Sequence, residues 1–225
     1  MANGFFITGT DTDTGKTWAT LTLMRYFQKQ GKSVVGMKPV ASGCRLIDDH
    51  WRNDDALALQ AMSSVGIDYD LMNPYAYEQP VSPHLAGREN PVDLNKIRNC
   101  FQRLSAMADI VLVEGAGGWY APINDRESIS DLASTLALPI IVAVAIRLGC
   151  INHARLTGEA IVRSSLPCAG WIAVCLDPVM PFIEANIDSI KSTLTAPLLG
   201  VLPYMETADF DSLADRILIP TSRPS

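Results

Sequence analysis

The chain has 225 residues, 48% of them apolar and 19% charged, with 18 Lys and Arg against 24 Asp and Glu and a formal net charge of −6. That balance excludes intrinsic disorder and lacks the basic excess of a nucleic-acid binder. The length suits one domain over residues 1–225, able to bury about 70–75% of its unfolded surface without a disulfide or metal staple.

Short apolar runs alternate with helical patterns along the chain. Residues 4–8 read as a buried strand that ends in a Gly/Thr/Asp loop. Residues 16–31 carry Leu21, Leu23, Met24 and Phe27 at helical spacing, and Gly31 makes a stop. Residues 33–37 form a second strand, closed by Pro39. Residues 54–65 read as a helix with acids at its start. The stretch 72–88 is rich in Pro and turn residues and reads as loop with at most one short strand. A helix follows at 94–107, then the clearest buried strand at 110–113. Residues 128–136 are helical, 140–145 a continuous apolar strand, and 150–164 a helix. A strand at 168–176, a helix at 182–194, a strand at 198–202 and an amphipathic segment at 213–219 complete the chain.

Continuous apolar strands are covered on both faces, the mark of a mostly parallel central sheet with helices on each side, an α/β fold. Ligands in such sheets sit beyond the C-terminal strand ends. The loops after Thr8, Met37, Val113, Ala145, Leu176 and Leu202 should therefore share one rim. The longest apolar stretch, 136–146, falls short of the ~20 residues a membrane span needs, and Pro139 interrupts it. The N-terminus has no basic segment of a signal peptide. The five cysteines include no Cys-x-x-Cys pair and read as reduced thiols, so a cytoplasmic location is expected. The scattered histidines suggest no zinc site.

The strongest local signal is Gly9-Thr10-Asp11-Thr12-Asp13-Thr14-Gly15-Lys16-Thr17, between a predicted strand and a predicted helix. Backbone N–H groups from Asp13, Thr14 and Gly15 to Lys16 and Thr17 would wrap a β-phosphate at the positive end of the helix dipole. Gly15 lets the chain approach, Lys16 supplies a mobile charge, and the Thr17 hydroxyl suits Mg²⁺. A second threonine at position 18 would extend this set, but the sequence has Trp18 there, so no nucleotide contact is expected from position 18. The first glycine lies one residue early for the common P-loop spacing, and Thr10 takes its slot. Glu114 at the end of the strand 110–113, before Gly115-Ala116-Gly117-Gly118, suits a Mg²⁺ ligand, and so does Asp54 or Asp55. Lys38 falls on the same rim. Gly149-Cys150-Ile151-Asn152 opens a helix whose free N–H groups suit a carboxylate.

Together these segments resemble the dethiobiotin synthetase family, a P-loop NTPase-like fold. The carrying residues are Thr8 to Thr12, Gly15-Lys16-Thr17, Lys38-Pro39-Val40-Ala41-Ser42-Gly43, Arg52-Asn53, Asp55-Ala56-Leu57, Asn73-Pro74-Tyr75, Ser82-Pro83-His84, Val113 to Trp119, Leu148 to Ala154 and Ala196 to Gly200 with Pro203. The resemblance implies ATP-dependent ring closure of 7,8-diaminononanoate with CO2 to a cyclic urea, through a carbamate and a carbamic-phosphoric anhydride. It implies Mg²⁺ at Thr17, Asp55 (rather than Asp54) and Glu114. Lys16 and Lys38 would neutralise the transferred group. Thr12, Lys38, Ser42 and Gly117 would face the diamine or its carbamate. It also implies a homodimer, with Gly149, Cys150, Ile151 and Asn152 holding the substrate carboxylate across the interface. Nucleotide contacts would extend to Gly115, Ala116 and Gly117 and to Pro203, Tyr204 and Met205.

One departure stands out. Where family members carry an Asn-Asp pair that reads adenine, this chain has Val174-Cys175, which cannot offer a paired donor and acceptor. Looser base selectivity is expected, or recognition by backbone near residues 203–205. The competing reading is a nucleotide-dependent switch ATPase of the partitioning or iron-carrier type. Such proteins carry a second lysine early in the loop, where this chain has Thr10, and add a cysteine pair or basic membrane helix that is absent here.

Overall fold

The structure, a computed structural model, describes residues 4–220. The N-terminal reading at residues 1–3, and the ends of the expected 1–225 domain, lie outside them. β1 (Gly4–Gly9) is buried from Phe6 onward. The phosphate-loop sequence follows it and leads into α1 (Lys16–Lys29). Ala19, Leu23 and Phe27 lie four residues apart and bury one stripe of that helix. Gly31, at φ 76°, ends it where the sequence indicated. β2 (Val34–Met37) is buried throughout.

The next segment holds small elements that the sequence reading did not resolve: β3 (Val40–Ala41), β4 (Arg45–Ile47) and β5 (His50–Arg52). β4 and β5 form an antiparallel hairpin closed by Asp48 and Asp49, both at positive φ. That two-residue turn was the missed signal, muted because Asp-Asp lacks the usual glycine. α2 (Asp54–Met62) and α3 (Tyr69–Met72) follow. β6 (Tyr75–Ala76) is the one short strand expected in the 72–88 stretch, and it pairs with β3. α4 (Pro83–Ala86) is a single turn started by Pro83.

α5 (Leu94–Ser105), β7 (Ile110–Gly118), α6 (Ile129–Leu136), β8 (Ile140–Ala145), α7 (Cys150–Arg163), β9 (Cys168–Val174), α8 (Ile183–Thr193), β10 (Leu198–Leu202) and α9 (Phe210–Ala214) complete the chain. Several boundaries differ from expectation, most of all at β7 and at the last helix. β7 does not stop at Val113 but runs through Glu114 to Gly118, because β1 goes on pairing with it, Ile7 opposite Glu114 and Gly9 opposite Gly118. The last helix starts earlier than 213, because the Asp209 side chain accepts from the N–H groups of Asp211 and Ser212 and caps it.

The central sheet has the order β10-β9-β8-β1-β7-β2, and every pairing in it is parallel. All six residues of β8 are buried, so helices cover both faces, as its unbroken apolar run required. The chain skips a slot between β1 and β2, and β7 returns to fill it. Met37 pairs with Val113, so Lys38, one residue on, arrives beside Glu114. The five cysteines are unpaired. Among the described residues, no helix is long and apolar enough to cross a membrane.

Phe6 is fully buried on the central strand, and its ring lies against the space a Cβ at Gly115 would fill. Replacing Phe6 with Ala should lower the unfolding free energy by about 3–5 kcal/mol, read from urea titration. A loss under ~1 kcal/mol would show that the β1–β7 contact is not the packed centre of the molecule.

Candidate active site

The phosphate loop bends back on itself through two left-handed residues, Asp13 at φ 52° and Gly15 at φ 76°. A Cβ on Gly9 would stand 2.3 Å from the Thr14 hydroxyl and 3.0 Å from Lys16 Nζ, so this glycine makes room for the curl. Thr14 is buried, and its hydroxyl donates to the Asp11 carbonyl at 3.2 Å. Lys16 Nζ donates to the same carbonyl at 2.8 Å. The first amides of α1, ahead of the Ala19 N–H bond to the Gly15 carbonyl, lack intrahelical acceptors, as an anion site needs.

Three further elements bring charge to this loop. β7 delivers Glu114, which is fully buried. β2 delivers Lys38, 5% exposed. The first turn of α2 delivers Asp55. Lys38 Nζ donates to Asp55 Oδ2 at 3.0 Å and also to Glu114 Oε1. The Thr17 hydroxyl donates to Glu114 Oε1 at 3.0 Å. Asp54 points elsewhere and pairs with Arg45 in solvent. Two carboxylates, two ammonium groups and a hydroxyl thus converge at the C-terminal rim.

The environment sets their protonation. Burial, with help from the Lys38 charge, lowers Lys16 to a pKa of about 8. Burial also disfavours the Lys38 ammonium, but the Glu114 and Asp55 carboxylates outweigh it and hold the group above the usual lysine range. Burial opposes ionisation of Asp55 as well, yet the charge and hydrogen bond of Lys38 keep its carboxyl below the usual range. At neutral pH Lys38 is a fixed cation and Lys16 an adjustable one.

A cavity of about 700 Å³ lies over this cluster. Thr12, Asp13, Thr14, Gly15, Lys16 and Thr17 line it together with Lys38, Ser42, Asp55, Glu114, Ala116 and Gly117. The Ser42 hydroxyl is buried and has no hydrogen-bond partner. Gly115 is placed differently: a Cβ there would face Phe6 and Ile129 in the core.

Position 18, where no nucleotide contact is expected, holds Trp18, which forms part of the cavity wall. The reason is its place on the first turn of α1, next to Thr17 at the mouth of the loop. The other side of the Trp18 ring meets Phe210 of α9 edge-on, with centroids 6.1 Å apart. The residue therefore offers an apolar indole where a threonine would offer a second hydroxyl.

Asn53, the Pro80–Pro83 segment, Ala121 and Leu176 line the cavity too. Of these, Asn53, Ser82 and Pro83 belong to the family pattern and Leu176 precedes a loop expected on the rim, whereas Pro80, Val81 and Ala121 carry no chemical signature to search for.

The remaining sites lie apart. Gly149 caps α7 at φ 92°, with Leu148 93% exposed beside it. Gly149, Cys150, Ile151 and Asn152 do not line their own chain's cavity. Pro203 and Tyr204 line a second cavity of about 650 Å³ with Cys175 and Asp177, and Met205 packs partly buried against the core. Val174 is 1% exposed, and a Cβ on Gly15 would stand 2.5 Å from its Cγ1. Its side chain therefore supports the phosphate loop from beneath.

Comparison with known proteins follows the same lines. Residues 3–211 match a family model described as an AAA domain. The chain is 44% identical over 218 residues to the ATP-dependent dethiobiotin synthetase BioD of Aromatoleum aromaticum, covering 96% of this chain and 97% of that protein. It is 47% identical over 210 residues to the protein of the same name from Cellvibrio japonicus, covering 92% of each. The chain belongs to the dethiobiotin synthetase family. Among solved structures, the MinC:MinD cell division protein complex of Aquifex aeolicus superposes with a TM-score of 0.58 at 16% identity, over 96% of this chain and 87% of that one. A ParA family ATPase from Chlorobium tepidum gives 0.57 at 13% identity, over 96% and 91%. These two share the P-loop NTPase fold, and at such identity the likeness extends no further than the fold. The switch-ATPase reading therefore gains nothing beyond fold, whereas the dethiobiotin synthetases match along nearly the whole chain.

The lowered Lys16 value has a measurable consequence. A polyphosphate bound beside Lys16 would favour its ammonium, so nucleotide binding above pH 8 should draw a proton from solution. Calorimetric titration at pH 8.5–9 in buffers of different ionisation enthalpy should show uptake of most of one proton. The affinity should fall with rising pH by up to about tenfold per unit. Binding without proton exchange at pH 9 would mean that Lys16 remains charged in the free protein.

Proposed function

We propose that this protein is an ATP-dependent dethiobiotin synthetase that closes 7,8-diaminononanoate and CO2 into a cyclic urea. The single observation that carries the residue assignment is the convergence of Lys16, Lys38, Asp55, Glu114 and Thr17 under one cavity, in a chain of that family.

Mg²⁺ fits the residues present. Glu114 Oε2 is buried without any hydrogen-bond partner, and Thr17, Asp55 and Glu114 offer hard oxygens only. Two carboxylates and a hydroxyl, completed by phosphate and water, match the usual Mg²⁺ arrangement, and these three residues would hold the ion. When bound, the ion would neutralise charge on the β- and γ-phosphates.

The chain's own groups would serve the reaction as follows. CO2 adds to one amine of the substrate, which loses a proton to give a carbamate. Thr12, Ser42 and the Gly117 backbone would position it, and the unpartnered Ser42 hydroxyl supplies a free donor. A carbamate oxygen attacks the γ-phosphorus, the bond to the β-phosphate oxygen breaks, and ADP leaves. The amides from Asp13 to Thr17, with Lys16, would steady the charge spreading over the phosphates, and Lys38 that on the transferred group. The second amine attacks the carbonyl carbon of the anhydride, phosphate departs with the C–O bond electrons, and a proton is lost as the ring closes.

The protein would act as a homodimer in the cytoplasm. The helix start at Gly149, Cys150, Ile151 and Asn152 would serve the cavity of the second protomer, where its free N–H groups would meet the substrate carboxylate. The family's adenine-reading pair is replaced, and Val174 is engaged with Gly15. Base selection would fall to the segment Pro203, Tyr204 and Met205, and discrimination among nucleoside triphosphates would be weak.

The test is a mass-spectrometric assay with the diamine, bicarbonate, Mg²⁺ and ATP, run in parallel with CTP and GTP. Cyclic urea should form, with phosphate release that needs both diamine and CO2. Lys38→Met should lower kcat by about 100-fold or more, as loss of a group stabilising transferred charge does. The three nucleotides should support turnover within about tenfold, a difference of ~1.4 kcal/mol. Nucleotide binding without urea would overturn the assigned reaction. A strong ATP preference that survives changes at 203–205 would overturn the account of base selection.

A further inference from the structure

Lys38 and Asp55 reach the cavity from different elements, and although the β2–β7 register brings Lys38 up to Glu114, no ladder bond fixes the Lys38 peptide relative to Asp55. Lys38 lies just past β2, where its peptide has left the ladder. Asp55 is half-exposed on the first turn of a short helix. Something must hold both backbones, because a 3.0 Å contact between their side chains tolerates little drift.

The structure contains one directional hydrogen-bond chain that does this. The Asn53 backbone N–H, two residues before Asp55, donates to the Tyr69 hydroxyl at 2.8 Å. That hydroxyl donates to Asn73 Oδ1 at 2.9 Å. Asn73 Nδ2 donates to the Lys38 carbonyl at 2.6 Å. The Lys38 N–H completes the grip by donating to the Met72 carbonyl at 2.9 Å. Asn53 also caps α2, accepting from the Ala56 N–H at 3.2 Å. Tyr69 and Asn73 are 6% and 3% exposed. The Arg52 guanidinium lies 4.0 Å from the Tyr69 ring centre and covers it from the other side. Every donor and acceptor along this path is used, so the links polarise in one sense and resist displacement together.

We propose that Tyr69 and Asn73 are positioning residues of the catalytic site. They tie the backbone that carries Lys38 to the cap that aims Asp55, and so set the separation between ammonium and carboxylate before nucleotide arrives. The inference rests on the assignment of Lys38 and Asp55 to the phosphate and Mg²⁺ machinery. It gives a role to Arg52, Asn53 and Asn73, which touch no reacting atom in that assignment. Groups that orient the ligands of a metal typically change metal affinity or activity by about 10–100-fold when lost, and here the orientation is transmitted through the Asn53 and Lys38 backbones.

Tyr69→Phe is the decisive variant, because it keeps the ring and its contact with Arg52 and removes only the hydroxyl. Binding of a non-hydrolysable ATP analogue would be titrated with Mg²⁺ and again with EDTA, beside kcat and KM for the diamine. Expected are an unchanged affinity in EDTA and at least a tenfold loss in the affinity ratio, Mg²⁺ over EDTA. At saturating nucleotide and Mg²⁺, kcat should fall by at least tenfold while the KM for the diamine stays within about twofold, as expected when the loss falls on the phosphate and metal side of the site and diamine binding is untouched. Asn73→Ala should show the same pattern, and the double variant should be no worse than the more damaged single, because either change breaks one chain. A Tyr69→Phe protein with a Mg²⁺ ratio and kcat within twofold of the parent would overturn the proposal. Equal losses in Mg²⁺ and EDTA, accompanied by a lower Tm, would also overturn it, since they mark a folding role only. Lys38→Met in the same assays separates the two levels. If that protein stays active, the site assignment itself fails. If it is inactive while Tyr69→Phe is normal, the positioning inference alone fails.

Discussion

Charge beneath water's reach has to be matched, and in this protein that requirement governs the rim of the sheet. Glu114 is fully buried on β7 and is held by the Thr17 hydroxyl and the Lys38 ammonium. Lys38 is buried in turn and needs both Glu114 and Asp55. Removing one partner from such a group leaves an uncompensated charge, commonly a loss of 3–5 kcal/mol. The cluster therefore constrains β7, β2, α1 and α2 to one arrangement. It also stores the charges that a polyphosphate and a divalent cation would exchange with.

The strand order makes this possible. β7 fills the slot between β1 and β2, so the phosphate loop, Glu114 and Lys38 come from three adjacent strands. The register adds the finer placement, since Met37 opposite Val113 sets Lys38 beside Glu114. Away from the sheet, control passes to side-chain hydrogen bonds. The path from Asn53 through Tyr69 and Asn73 to the Lys38 carbonyl substitutes for a ladder where the strand has ended. Val174 offers the same lesson at the other end of the loop, where an apolar side chain fills space beneath Gly15.

Much was legible in the residues themselves. The buried strand at 140–145 follows from its unbroken apolar run, and the helix from Lys16 to Lys29 from its periodic stripe and terminal glycine. The phosphate loop is a local object: its glycines, lysine and threonine act through backbone curvature within nine residues, so spacing alone reveals it. Lys38, Asp55 and Glu114 could be named because each falls at the end of an element or beside a turn, or matches a family pattern. What could not be read was their joint geometry. β7 continues past Val113 only because β1 offers it a partner, and that pairing spans more than a hundred residues of chain. Trp18 escaped for a similar reason, since an indole carries no phosphate-binding group and only the folded loop shows which wall it forms.

The sequence by itself determined the fold class, the phosphate loop and the family. Those depend on patterns whose period or spacing is set by the local backbone. Tertiary structure alone decided that Lys38 binds both carboxylates, that Asp54 turns to Arg45, and that Gly115 faces the core. It also decided that Tyr69 and Asn73 join the backbones that carry Lys38 and Asp55. These are contacts between segments distant along the chain, and no local periodicity encodes which side chains of two such segments will meet.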